Sequence, residues 1–195
     1  VVNKSSILSG IINKQQAVEK GGDALIQKKI CLLGASSVGK TSLVKQFVEG
    51  IFSEKYLTTI GVKIDKKTLS IANEQVNLLL WDMEGNDSYN VFQEKYLRGA
   101  AGYIIVVDQT RASSLLEGID IHTLARQVTD CPAILAINKS DLLATWHLDD
   151  SEYEAYQDLF ALHFLTSAKT GNNVEQMFSS LAELLLKREK NDLTT

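Results

Sequence analysis

The residues best suited to do chemistry in this chain are Gly34-Ala35-Ser36-Ser37-Val38-Gly39-Lys40-Thr41, which meet the phosphate-loop pattern G-x-x-x-x-G-K-[ST]. Glycine lets such a backbone wrap closely around phosphate oxygens. Successive N–H groups from Ser36, Ser37, Val38 and Gly39 to Ser42 at a helix start would add partial positive charge. Lys40 would reach the β- and γ-phosphates of a nucleoside triphosphate, and Thr41 would place its hydroxyl on Mg²⁺, a hard cation that favours oxygen. A second group, Asp82-Met83-Glu84-Gly85, closes the apolar run Leu78-Leu79-Leu80-Trp81. A carboxylate there can hold Mg²⁺ through water, while the Gly85 N–H can sense a γ-phosphate. The third group is Asn138-Lys139-Ser140-Asp141 after Ile134-Leu135-Ala136-Ile137. The paired acceptor oxygens of Asp141 match the adjacent N1–H and N2–H donors of guanine, a pair that adenine lacks. Losing both charge-assisted bonds, roughly 1.5–3 kcal/mol each, would weaken binding roughly 10²- to 10⁴-fold. Asn138 would tie neighbouring loops together, and the Lys139 stem would cover one face of the base. In Thr166-Ser167-Ala168-Lys169 the Ala168 N–H could donate to guanine O6. Each short motif alone also reads as a turn after a strand; their order and setting together favour the nucleotide reading.

Positioning these groups requires strands that end where the motifs begin. Apolar runs of strand length fall at 28–34, 62–71, 76–82, 102–108, 133–138 and 163–166, and amphipathic stretches predict helices near 40–49, 88–97, 113–128, 150–160 and 173–189. Their alternation argues for an α/β sheet with mostly parallel strands. Asn73-Glu74 is a plausible turn joining the second and third strands as an antiparallel hairpin. Open sheets of this type bind ligands beyond the carboxyl ends of their strands, which is where every motif lies. In the last helix Val174, Met177, Phe178, Leu181, Leu184 and Leu185 make one core-facing stripe.

The 195 residues suit one domain, over 28–189, preceded by a helical or mobile arm at 1–27 and followed by a tail at 190–195. Partner binding is the alternative use of that arm. A net charge of −4 leaves no broad basic footprint, so nucleic acid is not an expected partner. Cys31 and Cys131 sit in apolar surroundings and read as small buried hydrophobes, which suits a reducing, cytoplasmic setting. The run Gly102-Tyr103-Ile104-Ile105-Val106-Val107 has strand length and is too short to span a membrane.

Taken in order, these motifs resemble those of the Ras superfamily of small GTPases, over about residues 28–189. The nearest likeness is to the Rab family. Phe52, Tyr56 and Thr58-Thr59-Ile60-Gly61-Val62 resemble its first switch region, and Trp81-Asp82 with Tyr96-Leu97-Arg98-Gly99-Ala100 resemble the segments around its second. The resemblance implies a P-loop NTPase fold: a six-stranded, mostly parallel sheet with one antiparallel strand and helices on both faces. It implies a molecular switch that binds GTP and GDP with Mg²⁺ and hydrolyses GTP. Thr59 would bind Mg²⁺ and the γ-phosphate beside Thr41 and Asp82, Phe52 would pack on guanine, and Tyr56 would lie in the first switch. Ser167 and Lys169 would join the base-reading loop. Effectors would dock on 52–62 and 84–97, with activating and exchange proteins as further partners.

Several positions depart from that family pattern. Where a glutamine usually orients the attacking water, this chain has Asn86, shorter by one carbon–carbon bond of roughly 1.5 Å. A misplacement of about 1 Å can cost on the order of 10²-fold in rate. Hydrolysis that uses Lys40, Thr59, Gly85 and Asn86 is therefore expected to be slow, and a non-hydrolysing binding module is the alternative. Glu84 stands where relatives carry a small residue, and its carboxylate would repel the γ-phosphate, engage Mg²⁺ or swing into solvent. Ser37 replaces a common glycine and is tolerable provided the backbone does not need a positive φ. Arg98 and Arg111 read as surface or structural residues, so a transition-state arginine would come from a partner. The tail Lys187-Arg188-Glu189-Lys190-Asn191-Asp192-Leu193-Thr194-Thr195 carries no prenylation signal, so no stable membrane anchor is expected.

Overall fold

The structure is a computed structural model and describes residues 26–54, 58–85, 94–146, 155–156 and 158–192. Its elements run β1 (Ile26–Leu33), α1 (Lys40–Glu49), β2 (Val62–Ile71), β3 (Glu74–Met83), α2 (Glu94–Leu97), β4 (Gly102–Asp108), α3 (Ser113–Arg126), β5 (Ala133–Asn138), β6 (Leu162–Leu165) and α4 (Val174–Asp192). They form one six-stranded sheet in the order β2-β3-β1-β4-β5-β6. Only β2 pairs antiparallel, with β3; the other neighbours are parallel. The α/β fold expected from the sequence, mostly parallel with one antiparallel strand, is the fold observed.

Strand pleating decides which residues meet which helix. Successive side chains of β1 alternate faces. Ile30 and Leu32 join Leu43 and Phe47 of α1 and Met177, Phe178 and Leu181 of α4 in one core. Cys31 and Leu33 enter the opposite core with Leu97, Leu115 and Ala125. Helices thus cover both faces, and the middle strands β4 and β5 are buried along their whole length. That is why they read as continuous apolar runs in place of alternating ones. Phe47 stacks on Phe178 at 4.0 Å and 18°, pinning α1 to α4. Burial also pushes the Cys31 thiol up to about 12, beyond a nearby lysine's opposing influence, as befits a packing residue.

The element boundaries moved where polar residues masked pairing. Ile26 and Gln27 already pair with Val76 and Asn77, so β1 starts before the apolar run and ends at Leu33. The β2–β3 turn is Ala72-Asn73, one residue earlier than Asn73-Glu74, because Ile71 and Glu74 are themselves paired. Both turn residues have positive φ, 50° and 68°, as a two-residue hairpin requires. The last strand is Leu162–Leu165, with Thr166 already in the loop. Helix α3 stops at Arg126, where Gln127, Val128 and Thr129 turn back onto Leu124 and Ala125 carbonyls. Asn173 at φ 55° cannot open a helix, so α4 begins at Val174 and runs to Asp192. Of the helices expected at 88–97 and 150–160, residues 88–93, 150–154 and 157 lie outside the described set, as do 1–25 of the arm and 193–195 of the tail.

The strand order also fixes where a ligand can sit. The chain leaves β1 toward β3 on one side and returns to β4 on the other, so the loops diverge at the carboxyl end of β1 and open a crevice.

Candidate functional site

A cleft of about 450 Å³ occupies that crevice. The loop after β1 contributes Ser36, Ser37, Gly39, Lys40, Thr41 and Ser42, and the segment before β2 contributes Phe52 and Thr59. Gly85 follows β3, Asn138, Lys139 and Asp141 close β5, and Ala168 with Lys169 follow β6. Most of the expected residues therefore meet in one place. Val38 is fully buried and anchors the loop in the core, Asp82 lies buried at the end of β3, and Ser167 is buried behind Asp141. Tyr56 and Asn86 lie outside the described residues.

The first loop folds around its own lysine. The Lys40 ammonium, in a side chain only 6% exposed, donates to the carbonyls of Gly34 at 2.8 Å and Ala35 at 2.7 Å. Gly39 sits at φ 101°, and a Cβ there would lie 2.3 Å from Asn138 Nδ2, so no other residue fits without displacing Asn138. Ser37 is at φ 68°, the left-handed region where a side chain adds strain. The proviso attached to this serine is not met, and the loop carries strain of order 1–2 kcal/mol that glycine would avoid.

Beside the lysine, oxygen atoms converge. Thr41 Oγ1 donates to Asp82 Oδ2 at 2.6 Å, Thr59 Oγ1 lies 2.7 Å from Thr41 Oγ1, and Thr59 Oγ1 reaches Asp82 Oδ2 at 3.3 Å. Asp82 Oδ1 is buried with no hydrogen-bond partner. Burial raises the Asp82 carboxyl above its ordinary range, against the hydrogen bonds from Thr41 and Thr59 and the charge of Lys40. An orphaned carboxylate oxygen beside two hydroxyls is a hard donor set that fits Mg²⁺. No group of three or more His, Cys, Asp or Glu side chains that could hold a metal ion occurs among the described residues.

At the other end Asn138, 1% exposed, binds the loops to one another. Its Nδ2 donates to Val38 O at 2.9 Å, and its Oδ1 accepts from the Ala168 N–H at 3.2 Å and, more weakly, from Thr166 Oγ1 at 3.4 Å. The tying role read for Asn138 is thus visible. The Ala168 N–H already has this partner, so donation to a guanine O6 requires sharing it. Ser167 Oγ donates to Asp141 Oδ1 at 2.6 Å and orients that carboxylate. Lys139 sits at φ 67°, and its Nζ is held 2.5 Å from Asp108 Oδ2. Burial disfavours charge on Asp108, but hydrogen bonds from Lys139 and Thr110 outweigh it and hold the carboxyl below its ordinary range. Phe52 is half-buried at the rim, packed on the core it borders.

Contacts the sequence did not disclose complete the site. Arg111 Nη2 donates to Ser36 O at 2.8 Å, so this arginine braces the phosphate loop from outside. Ser36 Oγ donates to Gly85 O at 3.0 Å, and a Cβ on Gly85 would fall 2.5 Å from Ser36 Cα. Of the courses expected of it, Glu84 keeps to the solvent side: the residue is exposed, and its Oε2 accepts the Gly61 N–H at 3.0 Å. Asp108 did leave a signal, a carboxylate ending an apolar strand as Asp82 does. Arg111, 75 positions from Ser36, left none. Comparison with protein-family models matches residues 29–187 to the Ras family.

Proposed function

This chain belongs to the Ras family and is a small GTPase by that membership, and we propose that it acts as a Mg²⁺-dependent switch between GTP and GDP with slow hydrolysis. The observation that carries the proposal is the meeting of Thr41, Thr59 and Asp82 beside Lys40, with Asp82 Oδ1 buried and unpartnered. These three residues would hold Mg²⁺, which would supply positive charge to offset that of the nucleotide's phosphates. Lys40, freed from the Gly34 and Ala35 carbonyls, turns its ammonium to the phosphates. Asp141, oriented by Ser167, accepts from the guanine edge, and Lys139, steadied by Asp108, lays its stem along the base. Thr59 and Gly85 sit on separate segments and each answers to a γ-phosphate, so the nucleotide state is carried outward through 52–62 and 84–97. Ile60 and Ile64 are strongly exposed in or beside the first of these, an apolar surface suited to a partner protein.

Slowness rests on Asn86, whose amide is one bond shorter than a glutamine's. The Rab-like reading rests on the sequence around Thr59 and Trp81. Among the described residues no helix is long and apolar enough to cross a membrane.

Identifying the nucleotide that copurifies, then following its turnover with added Mg²⁺, tests the proposal. GDP or GTP with slow conversion is expected. Adenine nucleotides, or ATP displacing GTP with comparable affinity, would refute the base assignment. Absence of hydrolysis even with extract containing activating proteins would leave a non-hydrolysing module.

A further inference from the structure

The β2–β3 ladder runs from Ile71↔Glu74 to Val62↔Met83, and the rung beyond it sets Gly61 against Glu84. There the Glu84 N–H donates to Gly61 O at 2.9 Å as a backbone rung would. The return bond differs. Gly61 is at φ 72°, turned out of extended geometry, and its N–H goes to the Glu84 side chain, Oε2, at 3.0 Å. One residue thus holds both polar backbone groups of Gly61. A small side chain at 84 would keep the first bond and lose the second.

Two residues before Gly61 is Thr59, whose hydroxyl faces Thr41 and Asp82. One residue after Glu84 is Gly85, held against Ser36 of the phosphate loop. Glu84 therefore joins the two segments that would read a γ-phosphate, at the point nearest to both.

We propose that Glu84 is a positioning residue, a latch whose carboxylate holds Gly61 so that Thr59 stays turned toward the metal site. The proposal rests on the switch reading above. It gives the carboxylate a task away from the phosphate and the metal: accepting one N–H. An amide oxygen can do the same, so charge is not required.

The test compares parent, Glu84→Ala and Glu84→Gln by stopped-flow release of fluorescent GTP and GDP analogues, in Mg²⁺ and in EDTA. Glu84→Ala should release the triphosphate about three- to tenfold faster in Mg²⁺, the effect of losing one hydrogen bond. The diphosphate should change far less, since Thr59 answers to the γ-phosphate, and EDTA should remove the difference. Glu84→Gln should match the parent. Equal rates for parent and Glu84→Ala, equal acceleration of both nucleotides, or a Glu84→Gln that behaves as Glu84→Ala would each overturn the latch. Hydrogen exchange at the Gly61 amide, measured without nucleotide, separates this from failure of the switch reading. Faster exchange in Glu84→Ala and parent-like exchange in Glu84→Gln support the latch even if the parent binds no guanine nucleotide; unchanged protection in Glu84→Ala overturns it.

Discussion

Replacing Asn138 by alanine should separate the phosphate loop from the base-reading loops, and the expected loss follows from its bonds. The side chain donates to Val38 O at 2.9 Å and accepts from the Ala168 N–H at 3.2 Å. The contact from Thr166 at 3.4 Å is too long to count for much. A typical hydrogen bond contributes about 0.5–1.5 kcal/mol net, and leaving its buried partner unsatisfied raises the cost toward 1–3 kcal/mol. With Asn138 only 1% exposed, neither Val38 O nor Ala168 N–H regains full hydration. The two together should weaken guanine-nucleotide binding by about 2–3 kcal/mol, roughly 30- to 150-fold. Titration with a fluorescent GDP analogue gives the affinity, and thermal unfolding followed by circular dichroism gives the accompanying loss of stability. Asn138→Asp keeps an acceptor for Ala168 but sets a carboxylate oxygen against the Val38 carbonyl, so it should bind no better than the alanine variant. If Asn138→Ala binds within about threefold of the parent while its stability falls, the residue supports the fold and not the site.

Asn86→Gln should raise the single-turnover rate of GTP hydrolysis by up to about 10²-fold, since it restores the reach of the amide; an unchanged rate would refute the explanation of slow turnover. His122 is 3% exposed, its Nδ1 is paired with the Tyr103 hydroxyl at 3.0 Å, and burial, helped by the Arg126 charge, lowers its pKa from 6.5 to about 4. The unfolded chain takes up a proton there that the folded chain refuses, so stability should fall as pH drops from 6.5 toward 4. By pH 5 the loss is on the order of 2 kcal/mol, and urea unfolding should show a smaller pH dependence in His122→Gln. Gly118 in α3 faces Val107 Cγ1, 2.7 Å from where a Cβ would stand, and Ile105 Cγ2 at 3.0 Å. Gly118→Ala should therefore destabilise by about 1–2 kcal/mol despite alanine's better helix propensity, as chemical denaturation would show.

Much of the site was legible because its signals are local. Gly34, Gly39 and Lys40 lie within one loop, and Asp82 and Asn138 end strands whose apolar runs announce them. A parallel sheet brings strand ends together, so several motifs that each follow a strand could be placed in one cleft without knowing a single contact. Boundaries were less legible where polar residues such as Gln27 and Glu74 pair by backbone alone, leaving no side-chain pattern.

The sequence by itself determined the fold class and marked the phosphate-loop motif, the candidate oxygen donors and the candidate base-reading loops, since each depends on residue types in a short span. Only the tertiary structure decided that Ser37 takes a positive φ, that Arg111 braces Ser36, and that Glu84 holds Gly61. Those outcomes depend on which distant backbone group arrives opposite a side chain. Strand register and loop path fix that, and neither is written in the spacing of the residues concerned.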